Sequence, residues 1–268
     1  MSINHPYVNA AKDFLELASE QRLNILFGLR EKKSKITTMA KELGATVQEV
    51  HRNFERLADA GLVAKDNEGY YNLTTYGNTI CTQIPDLVFV SKYRKYFEDH
   101  DFGDIPMKFI QRIGALAMGQ HAKGFVKVLE EWKTICNEAD EYIYYVLTEI
   151  PLDFIEALVN RVKKGVKCNY IFAEDTIVPK GRKELLEKLG FKKLIEKGLV
   201  ERKMKKDVKV VVVLNEKEAC VMFSTIDGAA DVGEMFYSND SLFHEWCLDY
   251  FRYCWHGSDV FQESKLKE

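Results

Sequence analysis

Apolar positions between residues 36 and 73 change their period along the chain. Ala40, Leu43, Val47, Val50, Phe54 and Leu57 recur three and four residues apart, the spacing of one buried helical face. Gly44 follows Leu43, where a residue tolerant of positive φ closes a helix at low cost. Thr46 then stands as the cap of a second helix with Glu49 three residues on, the two halves of a capping box. Ala60-Gly61 ends that helix, Leu62-Val63-Ala64 reads as a strand, and Asp66-Asn67-Glu68-Gly69 turns the chain into Tyr70-Tyr71-Asn72-Leu73. The pattern predicts a short helix, a tight turn, a longer helix and a two-stranded hairpin, which is the plan of a winged helix-turn-helix. Upstream, residues 8–17 carry an apolar stripe, and Ser19 is placed to cap a helix reaching Arg30.

Such a unit presents the exposed face of its second helix to a DNA major groove. The positions interleaved with the buried set are Gln48, Glu49, His51, Arg52, Glu55 and Arg56. Gln pairs with adenine and Arg with guanine through two hydrogen bonds, each pairing worth roughly 1–3 kcal/mol of discrimination. Thr37 and Thr38 at the start of the first helix, with Lys41, are expected to meet phosphates, and one of the two threonines is also expected to cap that helix. Thr46, Lys65, Asn67 and Tyr70 complete the expected DNA contacts. The same helix-turn-helix-hairpin plan also serves as a protein-docking module acting on transcription machinery, and that alternative stands beside DNA binding.

Charge modifies the picture. Residues 1–80 hold ten Lys/Arg and ten Asp/Glu, so the module has no net positive charge. Phosphate neutralisation supplies most non-specific affinity. The expectation is therefore modest affinity, steep salt dependence and reliance on a homodimer reading two half-sites, with Lys32, Lys33 and Lys35 supplying local charge. A second basic stretch lies at residues 180–209, with twelve Lys/Arg against five Asp/Glu. It reads as a solvated face, a second DNA-backbone contact, an anionic-ligand gate or a docking surface for acidic transcription machinery.

Beyond the hairpin, a helix opens at LTTYG and is expected to break at Pro85. A further helical run then carries Leu87, Val90, Tyr93, Tyr96 and Phe97, either against its own domain or against a second copy. Residues 106–268 read as α/β. YIYYVL within 141–147 and VKCNYIFA over 166–173 are strands separated by a helix, an order that favours a parallel pair. VKVVVVL over 208–214 is a strongly β-branched strand, and Asp240 caps a closing helix. The expected organisation is 1–80 as the winged helix-turn-helix, 81–105 as a connecting or dimerisation helix and linker, and 106–268 as a ligand-sensing domain.

Two phrases carry a family resemblance. SEQRLNILFGL with TMAKELGATVQEVHRNFERLADAGLV resembles the archaeal and bacterial ArsR-like winged-helix regulators. Metal-sensing members of that group place cysteines on or beside the second helix; none occurs here between Ile36 and Leu73, so that role is not carried over. FEDHDFGDIPMKFIQRIGAL looks like the connector of archaeal regulators of the methanogenesis-regulator type. MFSTIDGAADVGEMFYSNDSLFHEWCLDYFRYCW is similar in outline to the end of their second domain. The resemblance implies a transcription regulator with a C-terminal sensor of unspecified effector.

The fold class expected is thus α+β: a winged helix-turn-helix followed by an α/β sensor domain resembling a catalytically dead phospholipase-D-like fold. Phospholipase-D chemistry needs H-x-K with an Asp five residues after the Lys. His121-Ala122-Lys123 has Val128 at that position, and no second copy exists. No phosphate-binding loop, dinucleotide glycine fingerprint, HExxH or GxSxG is present. No catalytic residue, metal or cofactor is expected, with a phosphodiester-active enzyme as the lesser alternative. A small-molecule effector is expected beyond the carboxyl ends of the strands, with Tyr145, Glu149, Phe172, Glu174, Ser224 and Asp227 as candidate contacts, a set whose carboxylates suit a cationic or polyhydroxyl ligand or a divalent ion. Six cysteines form no C-x-x-C pair and scatter through apolar patterns, as reduced cysteines do. No apolar run nears the roughly 20 residues of a membrane span, and the first residues lack a signal pattern. A cytoplasmic, non-membrane protein is expected.

Overall fold

The structure, a computed structural model, describes residues 7–149 and 151–267; the side chains of residues 149, 153, 175 and 177 fall outside that description. The chain divides into two compact units, one ending at Pro85 and one beginning at Asp86.

The first unit runs α1 (Tyr7–Leu17), α2 (Glu20–Glu31), α3 (Ile36–Leu43), α4 (Val47–Asp59), β1 (Val63–Lys65), β2 (Tyr71–Leu73) and the start of α5 (Thr75–Lys92). Its core is Ile25, Leu26, Leu29, Met39, Ala40, Val50, Phe54, Leu57, Leu62, Val63, Tyr71 and Cys81. Val47 departs from the expected buried stripe and is 51% exposed. It is the first residue of α4, and the inward face begins a turn later at Val50. α3 has Lys35 at its N-cap with no side-chain bond, so neither Thr37 nor Thr38 caps it, and Gly44 closes it at φ 62°. The hairpin pairs Val63 with Leu73 and Lys65 with Tyr71, and Ser34 bridges to Tyr71 on the strand's other edge. Gly77 is required where α5 starts, because a Cβ there would lie 1.9 Å from the Leu62 carbonyl oxygen.

α5 continues through Pro85 instead of breaking there. Proline removes one rung of the helical ladder, but Cys81, Ile84 and Phe89 are buried on either side of it. The helix ends at Lys92, and Tyr96–Glu98 form a 3₁₀ turn. Phe89 and Tyr96 are buried in the core of the second unit, with Tyr93 and Phe97 packed on it, so this aromatic run is covered by its own chain. Leu87 and Val88 point outward at 55% and 47% exposure.

The second unit continues with β3 (His100–Asp101), α6 (Met107–Ile110), β4 (Gln120–Lys123), α7 (Phe125–Glu138), β5 (Tyr142–Glu149), α8 (Leu152–Lys163), β6 (Lys167–Ile177), α9 (Arg182–Lys188) and α10 (Phe191–Glu196). There follow β7 (Val200–Lys205), β8 (Val211–Asn215), β9 (Ala219–Met222), β10 (Ser224–Thr225), β11 (Glu234–Ser238), α11 (Ser241–His256) and β12 (Asp259–Val260). One sheet has the order β12-β7-β6-β5-β8-β9-β11-β4, with β5-β6 and β6-β7 parallel and the other pairs antiparallel. β3 and β10 form a separate antiparallel pair.

Side chains alternate across this sheet with period two. Ile143, Tyr145, Val211, Val213, Cys220 and Met222 face one core with Trp132, Phe154 and Leu158. Val146, Val212, Leu214, Val221 and Phe236 face the other with Phe109, Phe243, Trp246 and Phe251. β8 is buried on both faces, which accounts for its unbroken β-branched run. Among the described residues no helix is long and apolar enough to cross a membrane.

Candidate nucleic-acid interface

α4 is a helix with two unlike sides. Val50, Phe54 and Leu57 are buried, while Gln48, His51, Arg52, Glu55 and Arg56 are exposed. Its start is fixed by a complete capping box. The Glu49 amide donates to Thr46 Oγ1 at 3.2 Å, and the Thr46 amide and hydroxyl donate to the Glu49 carboxylate at 3.1 and 2.7 Å. The Thr46 hydroxyl bond, followed by its amide bond, holds the Glu49 carboxyl below its ordinary value. The side chains of Thr46 and Glu49 are thus engaged with each other, and what this end of α4 offers a ligand is the remaining amides of its first turn.

The other expected contacts fall into three groups. Gln48 and Arg52 are exposed and, among the described residues, make no side-chain hydrogen bond or ion pair, and His51 makes an i,i+4 contact with Glu55 at 3.4 Å. Arg56, in contrast, is tied to Glu16 of α1 through two bonds of 3.0 and 2.7 Å. That bond lowers the Glu16 carboxyl, with Arg22 assisting. Arg22 is almost buried and also donates to the carbonyls of Leu15 and Glu16. Arg56 therefore latches α1 to the carboxyl-terminal half of α4, a job the sequence does not reveal, because its partner lies 40 residues away.

Thr37, Thr38 and Lys41 are exposed on α3. In the hairpin, Asp66 accepts the amides of Tyr70 at 2.8 Å and Glu68 at 3.0 Å, which shapes the turn and, the Tyr70 bond foremost, lowers its carboxyl. The two acids of the hairpin turn thus differ: Asp66 is built into the turn, while Glu68 stays exposed, 3.7 Å from Lys33. Lys33 and Lys35 each stand 4.7 Å from the Tyr70 ring, Lys33 reaches Asp66 at 3.4 Å, and Lys65 is exposed. Asn67 is exposed at the tip. The strand bridge at Ser34 brings Lys33 and Lys35 beside the wing, so charge that looked N-terminal to the helices in sequence belongs to the hairpin.

The expected effector residues of the second unit are not gathered into one site. Tyr145 and Phe172 line a small apolar cavity of about 20 Å³, and burial pushes the Tyr145 phenol well up. Glu174 is bound to Lys265 at 2.6 Å. Ser224 is buried and donates to Asp101 at 2.7 Å, and Asp227 closes its own turn by accepting from Thr225 and the Ala229 amide. The Glu149 side chain lies outside the described residues. His121 stands 3.0 Å from Glu234, which also binds Lys123 at 2.5 Å, and burial lowers the imidazole against that carboxylate. All six cysteines are free and buried; Cys247 and Cys254 sit on the inner side of α11. Among the described residues, no group of three or more His, Cys, Asp or Glu side chains is arranged to hold a metal.

Residues 11–92 match the family described as the HVO_A0261 N-terminal domain. No curated protein matches the chain. Among solved structures the chain is similar to TrmBL2, an archaeal chromatin protein described as showing a novel mode of DNA binding. That likeness has 10% identity over 95% of this chain and 100% of that one, with a TM-score of 0.42. It is also similar to NucT from Helicobacter pylori, at 11% identity over 53% of this chain and 99% of that one, with a TM-score of 0.40. Nuc from Salmonella typhimurium, a phospholipase D family member, has 12% identity over 54% of this chain and 99% of that one, with a TM-score of 0.38. All three are remote likenesses.

Proposed function

We propose that residues 36–73 form a winged helix-turn-helix and that the protein is a cytoplasmic, sequence-preferring DNA-binding regulator of the ArsR-like type. It acts as a homodimer, and its second unit answers to a small-molecule effector. The observation that carries the reading is the outer side of α4. Gln48, His51 and Arg52 stand exposed in sequence on a helix whose opposite side is sunk in the core and whose start is locked by a capping box. A rigid, polar helix face of this kind is what base readout in a major groove needs. The lysines around Tyr70 supply a backbone contact on the hairpin side.

The pairing requirement follows from charge. A module with ten basic and ten acidic residues in its first 80 gains little from non-specific attraction. Two half-sites multiply the specific term. The reading assigns the second unit no catalytic role.

The test is recovery of genomic fragments bound by the intact protein. A shared sequence element with two related halves is the expected result. Recovery of no enriched fragment, together with a protein partner held through the α4 face, would replace the reading with the docking alternative.

A further inference from the structure

The second unit carries a concavity of about 580 Å³ that DNA readout by α4 does not use. Its floor is apolar, formed by the buried Phe109 and Cys254, and Tyr253 stands at its side. Basic side chains enter it from three separate elements. Lys108 and Arg112 come from α6 and the turn after it, Lys205 from the end of β7, and Arg252 and His256 from the last turns of α11. Asp249 is the one carboxylate in the lining, and two guanidinium groups share it, Arg112 at 2.8 Å and Arg252 at 4.0 Å.

The remaining charges are only partly balanced from outside the concavity. Lys205 is backed by Asp104 at 2.8 Å, and Arg112 reaches Glu245 at 3.9 Å. Lys108 has no carboxylate within ion-pair distance among the described residues. It rests against aromatic rings, 5.2 Å from Phe109 and 4.8 Å from Tyr253. The negative end of the α11 dipole accounts for Arg252 and His256. It does not account for Lys108, Arg112 and Lys205, which arrive from other elements and meet at the same volume. Burial pushes the Cys254 thiol up to about 11, so the floor offers no ready nucleophile.

We propose that this concavity binds a compact polyanion with at least two anionic groups, a phosphoester or a polycarboxylate, held by Lys108, Arg112 and Arg252. Guanidinium groups grip such oxyanions through paired, charge-assisted hydrogen bonds. Asp249 acts as the internal competitor that holds the two arginines when no anion is bound. Cations converging on one bounded volume fit a small ligand better than a duplex, whose phosphates run along a stripe. The inference gives the effector-sensing half of the proposed function a place and a chemistry, and it rests on that half alone.

The test is calorimetric titration of the full-length protein with pyrophosphate and, separately, citrate, in chloride buffer of constant ionic strength and without DNA. Saturable binding of one equivalent per chain by either probe is expected; pyrophosphate alone assigns a phosphate-bearing ligand, citrate alone a polycarboxylate. The double variant Lys108→Gln/Arg252→Gln is expected to weaken binding roughly tenfold or more. Lys183→Gln/Lys192→Gln, on the exposed faces of α9 and α10, is expected to change it by less than about twofold. Asp249→Asn removes the competitor and is expected to tighten binding, an outcome that damage to the fold cannot imitate. Lack of saturable binding by both probes, equal weakening by the two double variants, or displacement of the bound probe by a duplex of arbitrary sequence would overturn the proposal. A protein that binds pyrophosphate but no DNA keeps this inference and loses the DNA reading, so the two fail separately.

Discussion

Replacing Thr46 with Ala removes one atom that serves two bonds. The hydroxyl accepts the Glu49 amide at 3.2 Å and donates to the Glu49 carboxylate at 2.7 Å. The reciprocal bond, from the Thr46 amide to the same carboxylate at 3.1 Å, survives the change. Loss of an N-cap hydroxyl of this kind costs about 1 kcal/mol, within a range of roughly 0.5–2. The surviving half of the box places the effect near the middle of that range. For a cooperative unit of this size, the melting temperature should fall by roughly 4–8 °C, and exchange of the α4 core amides should quicken about fivefold if they open with the whole unit. The assay is amide exchange by mass spectrometry beside thermal unfolding, with Thr46→Ser as the variant that keeps the bond. A pH series adds the sign. The folded state holds the Glu49 carboxyl below its ordinary 4.5, so its contribution is present above that value and is lost as pH falls through the lower folded value. The advantage of the natural protein over Glu49→Gln should therefore vanish only in acid. An Ala variant as stable as the natural protein, or a Ser variant as damaged as Ala, would refute the assignment of Thr46 as the cap.

Other expectations are independent of that one. The double change Lys33→Ala/Lys35→Ala should weaken DNA binding across sequences and flatten the salt dependence by up to two phosphate equivalents, read from the slope of log affinity against log salt. Glu263→Gln should destabilise the second unit by roughly 1–3 kcal/mol, because the nearly buried Arg182, 2.5 Å from Glu263, loses its anionic partner. Burial raises the Glu263 carboxyl, but the Arg182 and Arg202 guanidinium groups outweigh it and leave it lowered. Its stabilisation should therefore persist above about pH 4.5 and be lost below, as seen in urea midpoints. Thiol titration of the native protein should be slow at all six cysteines, which are buried, and fast after unfolding.

The local grammar of the first unit was legible in sequence. The three- and four-residue spacing gave α3 and α4, Gly44 gave the turn, and Thr46 with Glu49 gave the cap. The illegible parts are those decided by contacts between distant positions. Nothing within twenty residues of Arg56 indicates that Glu16 claims its guanidinium. Nor does any local signal show Ser34 bridging to Tyr71 and drawing Lys33 and Lys35 to the hairpin. Pro85 misleads because the rule for proline concerns an isolated ladder, whereas here packing on both sides carries the helix past a missing rung.

In the second unit the parallel β5-β6 pair followed from the strand–helix–strand order. Which residues line a concavity did not, since Lys108, Lys205 and Arg252 are brought together from positions 47 to 144 residues apart. The basic stretch at 180–209 suggests an anionic-ligand gate, but of its residues only Lys205 lines the concavity. Glu174, Ser224 and Asp227 read in sequence as free polar residues at strand ends, yet each has a partner within the fold.

The most direct test of the account is the affinity of Arg52→Ala for a recovered genomic fragment and for a scrambled duplex of equal length, measured by fluorescence anisotropy at fixed salt. The account predicts a loss of roughly 1–3 kcal/mol on the recovered fragment and little change on the scrambled one, so that sequence preference collapses. Equal affinity of the variant and the natural protein for the recovered fragment would contradict it.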